Sequence, residues 1–201
     1  MAGSDAREVP IFPLNAVLFP GGLLPLRIFE QRYMEMTKAC LREDEPFGVC
    51  LIRSGSEVGA PATPEDVGCL ARVVHWDMQQ LGVLQVRARG EQRFRILERS
   101  VLDSGLTRAR VIPLAPDKDC PVTEEFAACA RLLQLVIREH GEQLIEAPHR
   151  FDSGSWVSAR LTEILPVPLI AKQKLMELDD SLQRLEILHK FLVQHELVTR
   201  G

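Results

Sequence analysis

Long hydrophobic runs are missing from this 201-residue sequence: no apolar stretch approaches the roughly 20 residues that a membrane-crossing helix needs. The opening MAGSDAREVP carries Asp5 and Glu8 where a secretory leader would place its apolar core, so a cytoplasmic protein without a membrane anchor is expected. An excess of one charge is missing too. The formal charge of −4 gives no global pull towards nucleic acid. Cysteine is sparse and unpatterned: Cys40, Cys50, Cys69, Cys120 and Cys129 are odd in number and show no CxxC spacing, which indicates neither a disulfide framework nor a zinc knuckle. His75, His140, His149, His189 and His195 form no HxH or HExxH pair, so no metal site is expected. No GxxxxGK(S/T) loop supplies the backbone cradle and lysine that hold nucleotide phosphates, and no cofactor is expected.

What is present is ordinary globular material, 46% hydrophobic and 26% charged, in a chain long enough for one large domain or two small ones. The densest apolar stretch is Pro10 to Tyr33, PIFPLNAVLFPGGLLPLRIFEQRY, which reads as a strand, a reversal at Pro20-Gly21-Gly22 and a second strand. Pro13 and Pro25 lack an amide donor and mark strand ends, edges or bulges. Phe29, Tyr33, Met36 and Cys40 fall on one face of a helix, which Asp44, Glu45 and Pro46 close. Phe47 to Ile52 reads as a strand, and SGSEVGAPATPED after it as a mobile surface loop.

From Gly68 to Pro113 the period is two. Leu84, Val86 and Ala88 alternate with Gln85, Arg87 and Arg89, Phe94 and Ile96 with Arg93 and Arg95, and Ala109 and Val111 with Arg108 and Arg110. Several antiparallel strands with apolar side chains inside follow from that, a small β-barrel or sandwich carrying one helix. Residues 114 to 121, LAPDKDCP, read as a linker. Beyond it the pattern is helical: Phe126, Ala130, Leu133 and Ile137 form one stripe behind Thr123, and Asp152 and Ser153 can cap a helix through Trp156, Leu161 and Leu165. Pro168 starts another, and Asp180 precedes a seam of Leu182, Leu185, Leu188 and Leu192. The expected class is α+β, with a β-rich lobe over residues 1–116 and a helical bundle over 117–201.

Asp152-Ser153-Gly154 superficially resembles a serine-protease nucleophile segment, but Phe151 precedes it and the same tripeptide recurs at Asp103-Ser104-Gly105, as a turn or helix cap would produce it. Paired carboxylates such as Glu124-Glu125 fall at helix starts, where the macrodipole accounts for them. Arg87, Arg89, Arg93, Arg95, Arg108 and Arg110 crowd one strand-rich region, and alternation aims most of them outward. They could form a basic face for RNA, although no aromatic residues interleave to stack bases and a solvated face is favoured.

The segment FPLNAVLFPGG followed by LPLRIFEQRY resembles the opening of the LON domain, the substrate-recognition region at the front of Lon-type ATP-dependent proteases that also occurs within cereblon. Trp156, Leu161, Leu165-Pro166, Lys172 to Glu177 and Arg184-Leu185 with Leu188 resemble its helical signature. The resemblance implies a PUA-like pseudo-barrel followed by helices, and a non-catalytic protein that binds unfolded or tagged polypeptides. An adaptor or chaperone-like role beside a separate protease is implied with it. Lon proteases continue into an ATPase and a serine-lysine peptidase, whereas this sequence stops at Gly201. The resemblance places peptide binding on the β-lobe, and Leu23, Leu24 and the loop residues Gly55, Glu57, Val58 and Pro61 are the candidates there. RNA binding by the arginine face is the alternative, and a homodimer through the Leu185 to Leu192 seam a third possibility.

Overall fold

In chain order the elements are β1 (Arg7–Leu14), β2 (Leu23–Ile28), α1 (Gln31–Glu43), β3 (Phe47–Ser54), β4 (Thr63–Pro64), β5 (Val67–Gln80), β6 (Val83–Val101) and β7 (Thr107–Pro113). A short 3-10 turn (Glu124–Phe126) then leads into α2 (Ala127–His140), α3 (Gly154–Ile164), α4 (Leu169–Glu177) and α5 (Ser181–Gln194). The computed structural model describes residues 6–141 and 144–198, with the side chain of residue 79 left aside. The chain divides into two compact units, Met1–Ala115 and Pro116–Gly201, a β-lobe and a helical lobe. Among the described residues no helix is long and apolar enough to cross a membrane.

The long strand β6 is the spine of the β-lobe. It pairs antiparallel with β5, then with β2 through its first half and with β7 through its second. β7 pairs with β1, and β1 pairs parallel with β3, which returns to β5. The ring β1-β7-β6-β5-β3 therefore closes on itself, a pseudo-barrel in which few edges remain open. Alternation predicts its lining correctly: Leu84, Val86, Ala88, Phe94, Ile96, Ala109 and Val111 are all buried.

The expected strand, reversal and second strand are present, and the turn hands the chain from β1, beside β3 and β7, to β2, beside β6. Gly21, at φ 75°, donates its N–H to the Gly90 carbonyl, and Gly90 N–H returns to Gly22 O at 2.9 Å. Two expectations are corrected here. Phe29 does not join the buried face of α1. It precedes the helix and is 54% exposed, while Tyr33, Met36 and Cys40 are buried as their spacing requires. Arg93 is buried rather than exposed, at 4%, its Nη2 donating to Ala115 O at 3.1 Å. Beside it the register shifts between Cys69 and Ala71, where Glu91 and Gln92 of β6 oppose Leu70 of β5.

Helix boundaries follow their chemistry. α1 ends where Asp44 turns left-handed, φ 52°, and gives its N–H to Cys40 O. Thr123 precedes the 3-10 turn without a side-chain cap bond. Ser153 Oγ caps α3 by accepting from Trp156 N at 3.1 Å, and Asp180 Oδ1 caps α5 by accepting from Leu182 N at 2.9 Å.

In the helical lobe Leu185, Leu188 and Leu192 are fully buried where α5 packs on α3 and α2, so the seam proposed for a homodimer is consumed inside its own lobe. Part of the linker expected at residues 114–121 is tied to this lobe: Lys118 N donates to Asp179 O at 2.8 Å, and just beyond it Val122 N donates to Asp152 O at 3.0 Å. Arg184, with no exposed surface, holds the lobe's centre. Its Nε donates to Ser158 Oγ at 2.9 Å, its Nη1 to the carbonyls of Leu175 and Leu178, and its Nη2 to Asp117.

Candidate functional site

β2 carries the open edge of the β-lobe. Among the described residues it pairs with β6 alone, in the register Leu24↔Ala88, Leu26↔Val86 and Ile28↔Leu84. Since Gly90 N–H bonds Gly22 O, the even-numbered residues of β2 face β6, and the backbone groups of Leu23, Pro25 and Arg27 face away from it. Pro25 fits there because a residue without an N–H gives up no bond to β6. Its place inside an apolar run marked a strand end, edge or bulge, and the edge is what the pairing gives.

Alongside this edge lies a groove of about 310 Å³. Leu24, Leu26 and Ile28 line it from β2, Phe12 and Leu14 from β1, Phe29 from just before α1 and Tyr33 from its first turn, and Val58 from the loop after β3. Phe12 and Tyr33 stack with ring centroids 4.0 Å apart, and the Arg32 guanidinium sits 4.7 Å from the Tyr33 centroid. Burial raises the Tyr33 phenol above its ordinary value, with Arg32 opposing and Glu30 adding to the shift, so the wall stays neutral. Phe29 and Val58 are both more than half exposed, an unusual position for large apolar side chains that share one concavity.

The loop that supplies Val58 was expected to be mobile; the structure pins it. Glu57 Oε1 accepts the Asn15 N–H at 2.5 Å, Glu30 Oε2 accepts the Gly59 N–H at 3.4 Å, and Thr63–Pro64 pairs back onto β3. Glu30 also accepts from Arg32 Nη2 at 2.9 Å, which orients its carboxylate at the rim.

Of the six peptide-binding candidates, Leu24, Glu57 and Val58 meet in this groove. Leu23 lies on β2 opposite Arg89, with its backbone on the open edge but not in the groove wall. Gly55 packs on Ala62 at the neck of the loop, and Pro61 lies near Gly105, both outside the groove lining. Phe12, Leu14, Phe29 and Tyr33 were missed as wall residues, because apolar periodicity does not distinguish a core face from a groove floor.

The arginine candidates are dispersed. Arg87 and Arg89 stand on β6 opposite Pro25 and Leu23, and Arg95 stands opposite Val67 and Ile112. Arg110 is bonded to Glu98 at 2.8 Å, which holds the Glu98 carboxyl below its ordinary range, and Arg108 faces Glu8 at 3.7 Å. With Arg93 buried, the six do not make one face. Ser153 is engaged as a cap: besides the Trp156 N–H, its hydroxyl donates to Asp119 at 2.7 Å. No histidine is among its hydrogen-bond partners, and among the described residues no cluster of three or more metal-ligating side chains occurs.

A sequence profile of the ATP-dependent protease La (LON) substrate-binding domain matches residues 8–194. The chain belongs to the LON substrate-binding family. The LON domain here is 28% identical over 195 residues to Lon protease 2 of Myxococcus xanthus, covering 92% of this chain and 23% of that protein. It is 28% identical over 140 residues to cereblon of Gallus gallus, covering 68% of this chain and 29% of that protein. It thus spans about a quarter of the length of the curated relatives it matches. The crystal structure of a Lon N-terminal domain protein from Xanthomonas campestris superposes with a TM-score of 0.75 at 34% identity, covering 90% of this chain and 96% of that one. The N-terminal domain of the Mycobacterium avium complex Lon protease shares the fold, with a TM-score of 0.65 at 18% identity, over 94% of this chain and all of that one. The α+β architecture of a β-lobe followed by a helical lobe is the architecture of this family.

Proposed function

We propose that this LON domain binds polypeptides non-catalytically, taking an extended segment onto the open edge of β2 and its apolar side chains into the adjoining groove. One observation carries the reading: an unpaired strand edge runs beside an apolar groove that leaves Phe29 and Val58 exposed. Main-chain bonds to Leu23, Pro25 and Arg27 supply affinity for any extended chain, and the groove selects for apolar side chains. Glu30 and Glu57 at the rim favour a segment flanked by basic residues. In this reading the protein is a substrate-recognition or adaptor module that hands unfolded or tagged polypeptides to a protease or chaperone. The groove, rather than the scattered arginines, is its contact surface.

Fluorescence anisotropy with a labelled extended apolar peptide tests this. The peptide should bind, and Phe29→Asp and Val58→Glu, at exposed positions that leave the core intact, should each weaken it by roughly tenfold. The same peptide N-methylated at alternate residues keeps its side chains and loses its main-chain donors, and should bind weakly. Equal binding of the methylated peptide would overturn strand addition, and indifference to both substitutions would remove the groove. Retention of RNA that depends on Arg87 and Arg89 would instead restore the basic-face alternative.

A further inference from the structure

The first half of β6 carries β2 on one side and β5 on the other, and the far side of β5 is a second open edge. β3 accompanies β5 through Cys69, Leu70 and Ala71, and among the described residues no strand but β6 pairs with β5 from Val73 to Gln80. This stretch holds no proline, and its exposed side chains are largely apolar. Val74, Trp76 and Met78 stand out along it and Leu81 at its turn, Trp76 being 53% and Leu81 95% exposed. An open edge of that composition is a template for pairing with another strand.

Which backbone groups the edge offers follows from the pairing across β6. The Gly90 N–H bonds Gly22 O, so Ala88 and Val86 turn their backbone groups to β2, while Arg87 and Gln85 turn theirs to β5. Opposite those two stand His75 and Asp77, so Trp76 between them sends its N–H and C=O to the open edge. Register shifts between Val73 and His75 and between Asp77 and Gln80 confine the regular stretch to a few residues.

That stretch is complementary to itself. Two copies paired antiparallel about a twofold axis at Trp76 set the two indoles side by side and place His75 opposite the second copy's Asp77, with Val74 approaching Met78 at the flank. On β6, Arg87 stands beside His75 and Gln85 beside Asp77, so the basic end of each copy meets the acidic end of the other. Arg72, the next cation along β5, is held by Glu91 and Asp44. The β2 edge offers no such match, because Pro25 in its middle has no N–H to give. We infer that the β5 edge binds a second copy of this chain, as an isologous pair of antiparallel strands centred on Trp76. The association closes as a dimer, since each copy's β5 edge is used up by the other. It is independent of polypeptide binding at β2, which lies across β6.

Sedimentation equilibrium of the full chain up to about 0.5 mM tests this, since an interface of a few strand residues associates weakly. The chain should pass from monomer to dimer with no larger species. Trp76→Glu, which sets two carboxylates against each other at the axis, should weaken dimerisation by about tenfold or more. His75→Glu sets acid against acid and Asp77→Lys sets a cation against the basic end, so each should weaken it as well. Mixing those two variants restores opposite charges across a heterodimer and should recover association, which damage to the fold by either substitution would not do. Far-ultraviolet circular dichroism should be unchanged in all three variants. A monomer at every concentration, a dimer indifferent to Trp76→Glu, or a mixture that associates no better than its parts would each overturn the inference. A monomer that captures the extended apolar peptide through Trp76 would give the edge to a polypeptide and overturn it too.

Discussion

Arg184 offers the sharpest test of how the helical lobe is held together. It has no exposed surface, and its partner Asp117 is 11% exposed at the side chain. The Asp117→Ala substitution leaves the guanidinium bonded to Ser158 and to the Leu175 and Leu178 carbonyls but removes the carboxylate that its Nη2 meets. Breaking one side of a buried pair costs about 3–5 kcal/mol, because an uncompensated charge stays in a low-dielectric site. The melting temperature of the lobe should fall by on the order of 10 °C or more. Arg184→Met should also destabilise, since it strips donors from Ser158 and two carbonyls. Combining Arg184→Met with Asp117→Leu removes both charges together, so the double variant should be more stable than the sum of the single losses by about 1–3 kcal/mol. Urea unfolding followed by far-ultraviolet circular dichroism reads all three. Additivity within about 0.5 kcal/mol, or a cost under about 1 kcal/mol for Asp117→Ala, would show that the pair is not the tie described here.

Two further outcomes follow from close packing and burial. A Cβ on Gly90 would overlap the Phe19 carbonyl oxygen, a backbone atom that cannot swing aside, so Gly90→Ala should cost about 1–3 kcal/mol or more, whereas Gly59→Ala, whose Cβ meets nothing, should show only the smaller strain of its positive φ; denaturant titration separates them. Alkylation of the native protein at about pH 8 should modify half-exposed Cys120 first, because the Cys40 and Cys129 thiols are buried and pushed up to about 11. Peptide mass spectrometry that found Cys40 or Cys129 labelled as fast as Cys120 would contradict that order.

Much of this was legible in the residues themselves. Period-two alternation through Leu84, Val86, Ala88, Phe94 and Ile96 determined the strands and their inner face, because a pleated strand sends neighbours to opposite sides whatever it pairs with. Tyr33, Met36 and Cys40 determined the buried stripe of α1, and Ser153 and Asp180 the starts of two helices, because caps and helical spacing act over one or two turns. Pro25 marked a strand end, edge or bulge for the same local reason, and the structure makes it an edge. The tertiary structure alone decided which strands meet. The parallel pairing of Ile11 with Gly48 closes the barrel, and no local preference specifies a partner so far along the chain. The burial of Arg93 with its bond to Ala115, the tie between Arg184 and Asp117, and the use of Leu185 to Leu192 inside one lobe depend likewise on neighbours distant in sequence. So does the candidate site: Phe12, Phe29, Tyr33 and Val58 are each an unremarkable apolar residue in the sequence, and they become a groove because the closed barrel leaves the edge of β2 uncovered beside them.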